Sequence, residues 1–373
     1  MKMLVVILII AALVGTGIYF YYSSSSPPPP PSEEVVDSKY PVSGFIQTWM
    51  LNDNGTVATY IQDGDVEDSD EVKGRESLSE TLGLWMDFAL KENDEELFHK
   101  GFEQLQTYFL EEDGFVHWKI QENGNKMETT NALVDDIRLV EVLYKGFDRW
   151  DKAEYQETAQ RIASYTTEYN LNENVLTDFY ETNDEYASDV ITLSYIDMQA
   201  LRRMRDERVL DQQIYDNMER ILEEAPLRNG FFPKGYNVEE TEYEYDESVN
   251  IVDQSLVALY RAQSGGQTSD FLAFIRKEMD DHGQVFGQYD IETKEENVEY
   301  ESPAIYGLLV MYCLAEGEEE LAMDIFDRLK VHQNSGNNDQ YAGGYSVYDD
   351  DTHVFDNLLP LLAEQQLRQK KLI

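Results

Sequence analysis

The chain has 373 residues, 42% of them hydrophobic, enough to bury one large core. Its 74 acidic side chains outnumber 29 lysines and arginines, and the resulting net charge of −45 repels nucleic acid. The single cysteine, Cys313, leaves no internal disulfide and no cysteine-based zinc site, and none follows the N-terminal apolar segment to carry a lipid.

That segment comes first in the chain. Residues 3–22 carry no charge and are long enough to cross a bilayer. Tyr19, Tyr21 and Tyr22 gather at its far end, as interfacial aromatics do. Lys2 precedes it and Glu33, Glu34 and Asp37 follow, which predicts the N-terminus inside and the main domain outside. A cleaved signal peptide is the rival reading, but no small-x-small cleavage site follows the apolar run. The expected organisation is a transmembrane anchor over 1–22, a Ser/Pro-rich linker over 23–38 and a helical domain over 39–373. In the linker, Ser23–Ser26 give flexibility and Pro27–Pro31 a stiff extended rod.

Asp63-Gly64-Asp65-Val66-Glu67-Asp68 lacks the glycine and the terminal glutamate of a calcium loop and reads as a solvated acidic loop. From residue 76 onward the apolar period is helical. It predicts helices near 76–92, 94–110, 130–147, 151–168, 186–206, 208–224, 247–264, 268–280, 302–315, 318–332 and 353–369. Short turns alternate with long polar, aromatic-rich stretches such as 111–129, 169–185, 225–246 and 281–301. No repeat sequence supports an open solenoid. The pattern predicts an all-α fold, an (α/α)6 toroid of helical hairpins with its long loops on one face. Cys313 lies in the apolar run 305–314 and reads as a small buried hydrophobe. The 25 tyrosines, 16 phenylalanines and 4 tryptophans suit a thick core first and a sugar-stacking groove second.

Candidate chemistry begins at Ser79-Glu80, where a carboxyl in a first helical turn can be kept protonated by burial among aromatics. With Gly83, Met86 and Ala89, this stretch resembles the Ser-Glu segment of glycoside hydrolase family 8. The resemblance makes Glu80 the general acid of an inverting glycosidase. Phe115–Ile120 resembles the family loop that sets a tryptophan, here Trp118, beside the sugar. Ala132–Leu143 resembles its Asp-rich helix, whose register puts Asp136 at the central subsite with Asp135 as the near alternative. Ser194-Tyr195 resembles a Ser-Tyr pair that contacts the sugar through Tyr195. Segments 302–306 and 343–358 resemble its membrane-anchored branch, so the likeness spans roughly 40–368 in order.

The chain departs from the family where the catalytic base is expected. One alignment puts Asn250 at the family's aspartate, and an amide cannot act as a base; Asp246 and Asp253 are the other choices, with Asp253 preferred. Glu247, Asn250 and Asp253 lie three apart and would share one helix face toward the substrate. The expected function is hydrolysis of a β-linked exopolysaccharide or envelope glycan by a monomer tethered to the cell membrane with its domain outside, using no metal and no cofactor. The alternatives are an inactive glycan-binding relative that assists export, or a surface scaffold for protein contacts. The topology predicts that protease added to intact cells releases a soluble fragment beginning near the Ser/Pro stretch. A domain that resists protease until lysis would reverse the orientation.

Overall fold

The computed structural model describes residues 39–64, 72–335 and 340–373. The expected anchor and linker lie outside these, as does most of the acidic loop at 63–68. No helix among the described residues is long and apolar enough to cross a membrane.

The described residues form twelve α-helices: α1 (Pro41–Trp49), α2 (Ser79–Glu92), α3 (Glu95–Gln104), α4 (Leu133–Trp150), α5 (Ala153–Tyr169), α6 (Met198–Asp206), α7 (Gln212–Glu223), α8 (Ile251–Ser264), α9 (Ser269–His282), α10 (Pro303–Glu316), α11 (Glu319–Val331) and α12 (Phe355–Lys370). The even-numbered helices form a closed inner ring: α2 packs on α4, α4 on α6, α6 on α8, α8 on α10, α10 on α12, and α12 back on α2. Outside it, α3 packs on α2, α5 on α4, α7 on α6, α11 on α10, and α1 on α12. This is the expected toroid. The helix that the sequence reading missed is α1, a nine-residue segment opened by Pro41, too short for its period to stand out.

Each outer helix returns the chain, so the inner helices all point the same way. The turns between an inner helix and its outer partner are short: 93–94 after α2, 151–152 after α4 and 317–318 after α10. Asn93, Asp151 and Gly317 make these turns by adopting left-handed backbone at the helix ends. The long stretches all precede inner helices and therefore collect at one end. Short antiparallel ladders stiffen them. Ser77–Leu78 pairs with Lys119–Ile120 just before α2, and Ser248–Asn250 pairs with Gln288–Asp290 just before α8.

Two expected helices begin too early. Residues 186–195 hold strand Val190–Thr192 and a 3-10 turn, where β-branched residues favour pairing with Gly235–Asn237. The helix expected from 247 starts at Ile251, because Ser248–Asn250 is committed to its ladder.

Helix α10 is apolar on every side, and its residues from Pro303 to Leu314 are all buried between neighbours. Cys313 is among them, its thiol pushed up to about 12 by burial. The closest approach is at Gly307, where an added Cβ would lie 2.6 Å from the Leu359 carbonyl carbon of α12. We expect Gly307→Val to force α10 and α12 apart and cost about 1–3 kcal/mol in urea unfolding. An unchanged midpoint would show that this contact yields freely.

Candidate active site

Six helix N-termini, each carrying partial positive charge, converge at the end that bears the long loops. Acids occupy most of these starts: Glu80 in α2, Asp135 and Asp136 in α4, Asp197 capping α6, Asp253 in α8 and Asp356 in α12. At α10 the start is Ser302, whose hydroxyl donates to Asp356 Oδ1 (2.6 Å). Inside the ring is a cavity of about 190 Å³, lined by Glu80, Arg138, Asp197, Tyr260, His353 and Asp356 among others. Leu84, Val142, Leu256 and Leu308 form apolar wall, interrupted by the ion pairs Lys91–Asp87 (2.6 Å) and Lys145–Glu141 (2.9 Å).

Glu80 opens onto this cavity with its side chain 17% exposed. Burial pushes its carboxyl up to about 7; Arg138 opposes the rise, and Asp135 and Asp253 add to it. The Arg138 guanidinium lies 3.5 Å from Glu80 Oε1. The loop ahead of α2 fixes this start. Trp118 is buried, and its carbonyl accepts both the Ser79 N–H (2.9 Å) and the Ser79 hydroxyl (3.3 Å).

Asp135, the alternative in the sequence reading, is the one placed against Glu80. It accepts from Ser79 Oγ (2.8 Å), from Arg138 (3.1 Å) and from the Glu80 N–H. The expected central carboxylate, Asp136, points elsewhere, which corrects the register chosen from the sequence. It accepts from Asn131 (2.6 Å) and Thr166 (3.4 Å), beside Asn170, and binds the loop ahead of α4 to α5. Successive helical residues are about 100° apart, so one of the adjacent pair had to face away.

Asp253 is buried in the first turn of α8, with the Ser194 hydroxyl on Oδ1 (2.9 Å) and the Lys234 ammonium on Oδ2 (2.7 Å). It is near enough to Glu80 for its charge to act on that carboxyl. Tyr195 is buried where Asp178, Asp135, Asp253 and Glu80 all act on its phenol; burial and those charges hold it well above its ordinary range. The expected shared face of Glu247, Asn250 and Asp253 does not form, because the first two precede the helix. Glu247 is exposed, and Asn250 spends its carbonyl oxygen capping α8 through the Val252 N–H (2.8 Å).

Several site residues escaped the sequence reading. Arg138 carried a signal, since Asp-x-x-Arg spacing puts it one turn from Asp135 on the same face. Lys234 and Asp178 lie on loops and carried none. Burial pushes Asp178 up to about 7 against two hydrogen bonds from Thr192 and the charge of Lys234. His353 also lines the cavity, and burial drives it down to about 4. His117 bonds Glu128 O (3.0 Å) and Glu111 (2.9 Å) within its loop.

No family model matches the chain. The putative lipoprotein YdaJ of Bacillus subtilis (strain 168) is 36% identical over 335 residues, spanning 89% of this chain and 88% of that protein. The chain belongs to the YdaJ family. Solved structures with the same fold include a protein described as a novel alpha-amylase from Clostridium perfringens, with TM-score 0.78, 24% identity and coverage of 87% of this chain and 96% of that one. PssZ from Listeria monocytogenes has TM-score 0.71 and 23% identity, covering 91% of this chain and 98% of its own. The family 8 endoglucanase Cel10 from Klebsiella pneumoniae has TM-score 0.60 and 15% identity, covering 86% and 96%. The chain therefore shares the fold of these three proteins.

The raised carboxyl has a consequence for stability. Folded Glu80 keeps its proton up to about pH 7, whereas its ordinary value is 4.5, so its contribution weakens as pH rises between these values. Glu80→Gln mimics the protonated acid. It should match wild type near about pH 4 and exceed it by on the order of 3 kcal/mol near about pH 8. Urea unfolding at both values checks this; an equal difference at the two would refute the raised carboxyl.

Proposed function

We propose that the protein is a glycoside hydrolase tethered outside the cell membrane, cleaving a β-linked polysaccharide of the cell surface with inversion. One observation carries the reading: Glu80, able to hold a proton to about pH 7, opens onto the cavity inside the helical ring with a second carboxylate, Asp253, within electrostatic reach. The fold, shared with proteins described as an endoglucanase and an alpha-amylase, supports hydrolysis of a sugar polymer.

Glu80 gives its proton to the glycosidic oxygen as the bond from that oxygen to the anomeric carbon breaks. A water attacks the opposite side of that carbon, and Asp253 takes the proton the water loses. Ser194 and Lys234 donate to its two oxygens and hold the side chain in place. Asp135, held by Ser79 and Arg138, is the carboxylate of the central subsite, a role the sequence reading gave to Asp136. Trp118 and Tyr195, the sugar contacts that the family resemblance implies, are buried behind the helix starts next to Glu80 and support the site from there. Tethering runs through the apolar segment 3–22, since the sole cysteine is buried in α10.

A non-catalytic glycan-binding role is the second reading, favoured by Asn250, whose oxygen caps a helix where the family resemblance places an aspartate. The deciding assay is reducing-end release from β-glucans, xylans, chitosans, starch and the host's own exopolysaccharide. We expect Glu80→Gln to retain glycan binding and lose ~10²–10⁴-fold in rate, with Asp253→Asn losing a comparable factor. Proton NMR should show the first product with inverted anomeric configuration. Wild-type protein that binds glycan without turnover, with binding unaltered in both variants, would establish the second reading.

A further inference from the structure

Two carboxylates, the buried Asp135 and the partly buried Glu80, face one guanidinium. Arg138 Nη1 lies 3.1 Å from Asp135 Oδ1 and 3.5 Å from Glu80 Oε1. One cation neutralises one anion. In a buried setting the favoured state therefore leaves a single negative charge opposite Arg138, with a proton on the other carboxyl. We propose that Arg138 is a positioning residue that assigns this proton, holding Asp135 as the carboxylate and leaving Glu80 as the acid.

The hydrogen bonds determine which group takes the proton. Asp135 accepts from the Ser79 hydroxyl (2.8 Å), the Glu80 N–H and Arg138. Burial raises the Asp135 carboxyl, and these donors oppose that rise in favour of the charged form. Glu80 has the longer Arg138 contact. The proton therefore resides on Glu80, the group aimed into the cavity.

Arg138 is itself held in place. Tyr260 of α8 shares a hydrogen bond with it, and Asp197 at the start of α6 acts on it electrostatically. Its stem crosses α2 at Gly83, where an added Cβ would come within 3.1 Å of Arg138 Cδ and 3.3 Å of Cγ. Glycine one turn after Glu80 thus leaves the groove in which the arginine lies. The other groups near Glu80 are Asp253, already paired with Lys234, and Tyr195, both on or beside α8. Asp356 and His353 at the start of α12 line the same cavity, with Asp356 bound to Ser302.

The inference rests on the proposed function only in calling Glu80 an acid, and its test needs no substrate. Unfolding of the full chain is followed across pH in four forms: wild type, Glu80→Gln, Arg138→Met, and both changes together. The pH dependence that disappears with Glu80→Gln reports the Glu80 midpoint in each background. Arg138→Met should raise that midpoint by at least about one pH unit, because an opposing charge is lost. Arg138→Lys should restore most of the shift, and Asp135→Asn should move the midpoint the other way. If turnover is found, the alkaline limb of its pH profile should move with the same signs. A midpoint unmoved by Arg138→Met would overturn the proposal. If Arg138→Met fails to fold, Tyr260→Phe and Arg138→Lys decide: a Glu80 midpoint unmoved by loosening Arg138 through Tyr260→Phe overturns it, and a small upward shift supports it. Loss of all glycan turnover in wild type would sink the enzyme reading while leaving this titration intact.

Discussion

Closure of the inner ring is the constraint on which everything else depends. Helix α12 must return to α2 across nearly the whole domain, and side chains at that seam secure it. Gln365 donates to Phe88 O (3.0 Å) and Glu92 Oε1 (2.9 Å), and Tyr40 donates to the same Glu92 carboxylate (2.8 Å). The two Gln365 contacts join residues more than 270 positions apart. Closure over such a span carries a large loop entropy, which the apolar faces of six inner helices offset together rather than pairwise. The all-round apolar α10 fits this role: it has neighbours on both sides of the ring and an outer helix behind it.

Once the ring is closed, its electrostatics follow. Parallel inner helices direct six positive ends to one face, and acids at those ends are stabilised by them. The same burial withdraws water from the acids and raises several, so the face holds carboxyls in different states of protonation. Cations sort them: Lys234 stands with Asp253, Arg138 with Asp135, Lys145 with Glu141 and Lys91 with Asp87. Glu80 shares its cation, Arg138, with Asp135 and has the longer contact of the two. Its environment is costly to stability at neutral pH, as is common where a buried group is held ready for proton transfer.

The long loops serve this face in a second way. Because they all precede inner helices, each fixes the first turn of the helix it leads into. Trp118 O receives Ser79, Asn131 receives Tyr180 N–H while donating to Asp136, and Thr192 donates to Asp178. Side chains that the sequence offered as sugar contacts are therefore partly engaged in holding helix starts in position. Asn250 is one, since capping α8 is also what sets Asp253 in its orientation.

Much of the fold was legible in the sequence. A helical period, repeated hairpins and alternating connection lengths dictated paired helices with long loops on one face, because these patterns depend only on near neighbours in the chain. The Ser79-Glu80 start was legible for the same reason: burial of a first-turn carboxyl follows from local pattern. What lay beyond reach were choices made between elements. Asp135 and Asp136 are adjacent and chemically alike, and only the packing of α4 on α2 and α5 decided which faces Glu80. Helix α8 begins at Ile251 because a strand some forty residues later pairs with Ser248–Asn250, and that pairing broke the shared face expected from spacing. Lys234 and Asp178 reached the site on loops whose course no periodicity encodes. The sequence by itself determined eleven of the twelve described helices in outline, their order and the carboxyl at the start of α2, since those rest on local propensity and burial period. The tertiary structure decided which charges meet, since that depends on distances between segments that the chain brings together only when the ring closes.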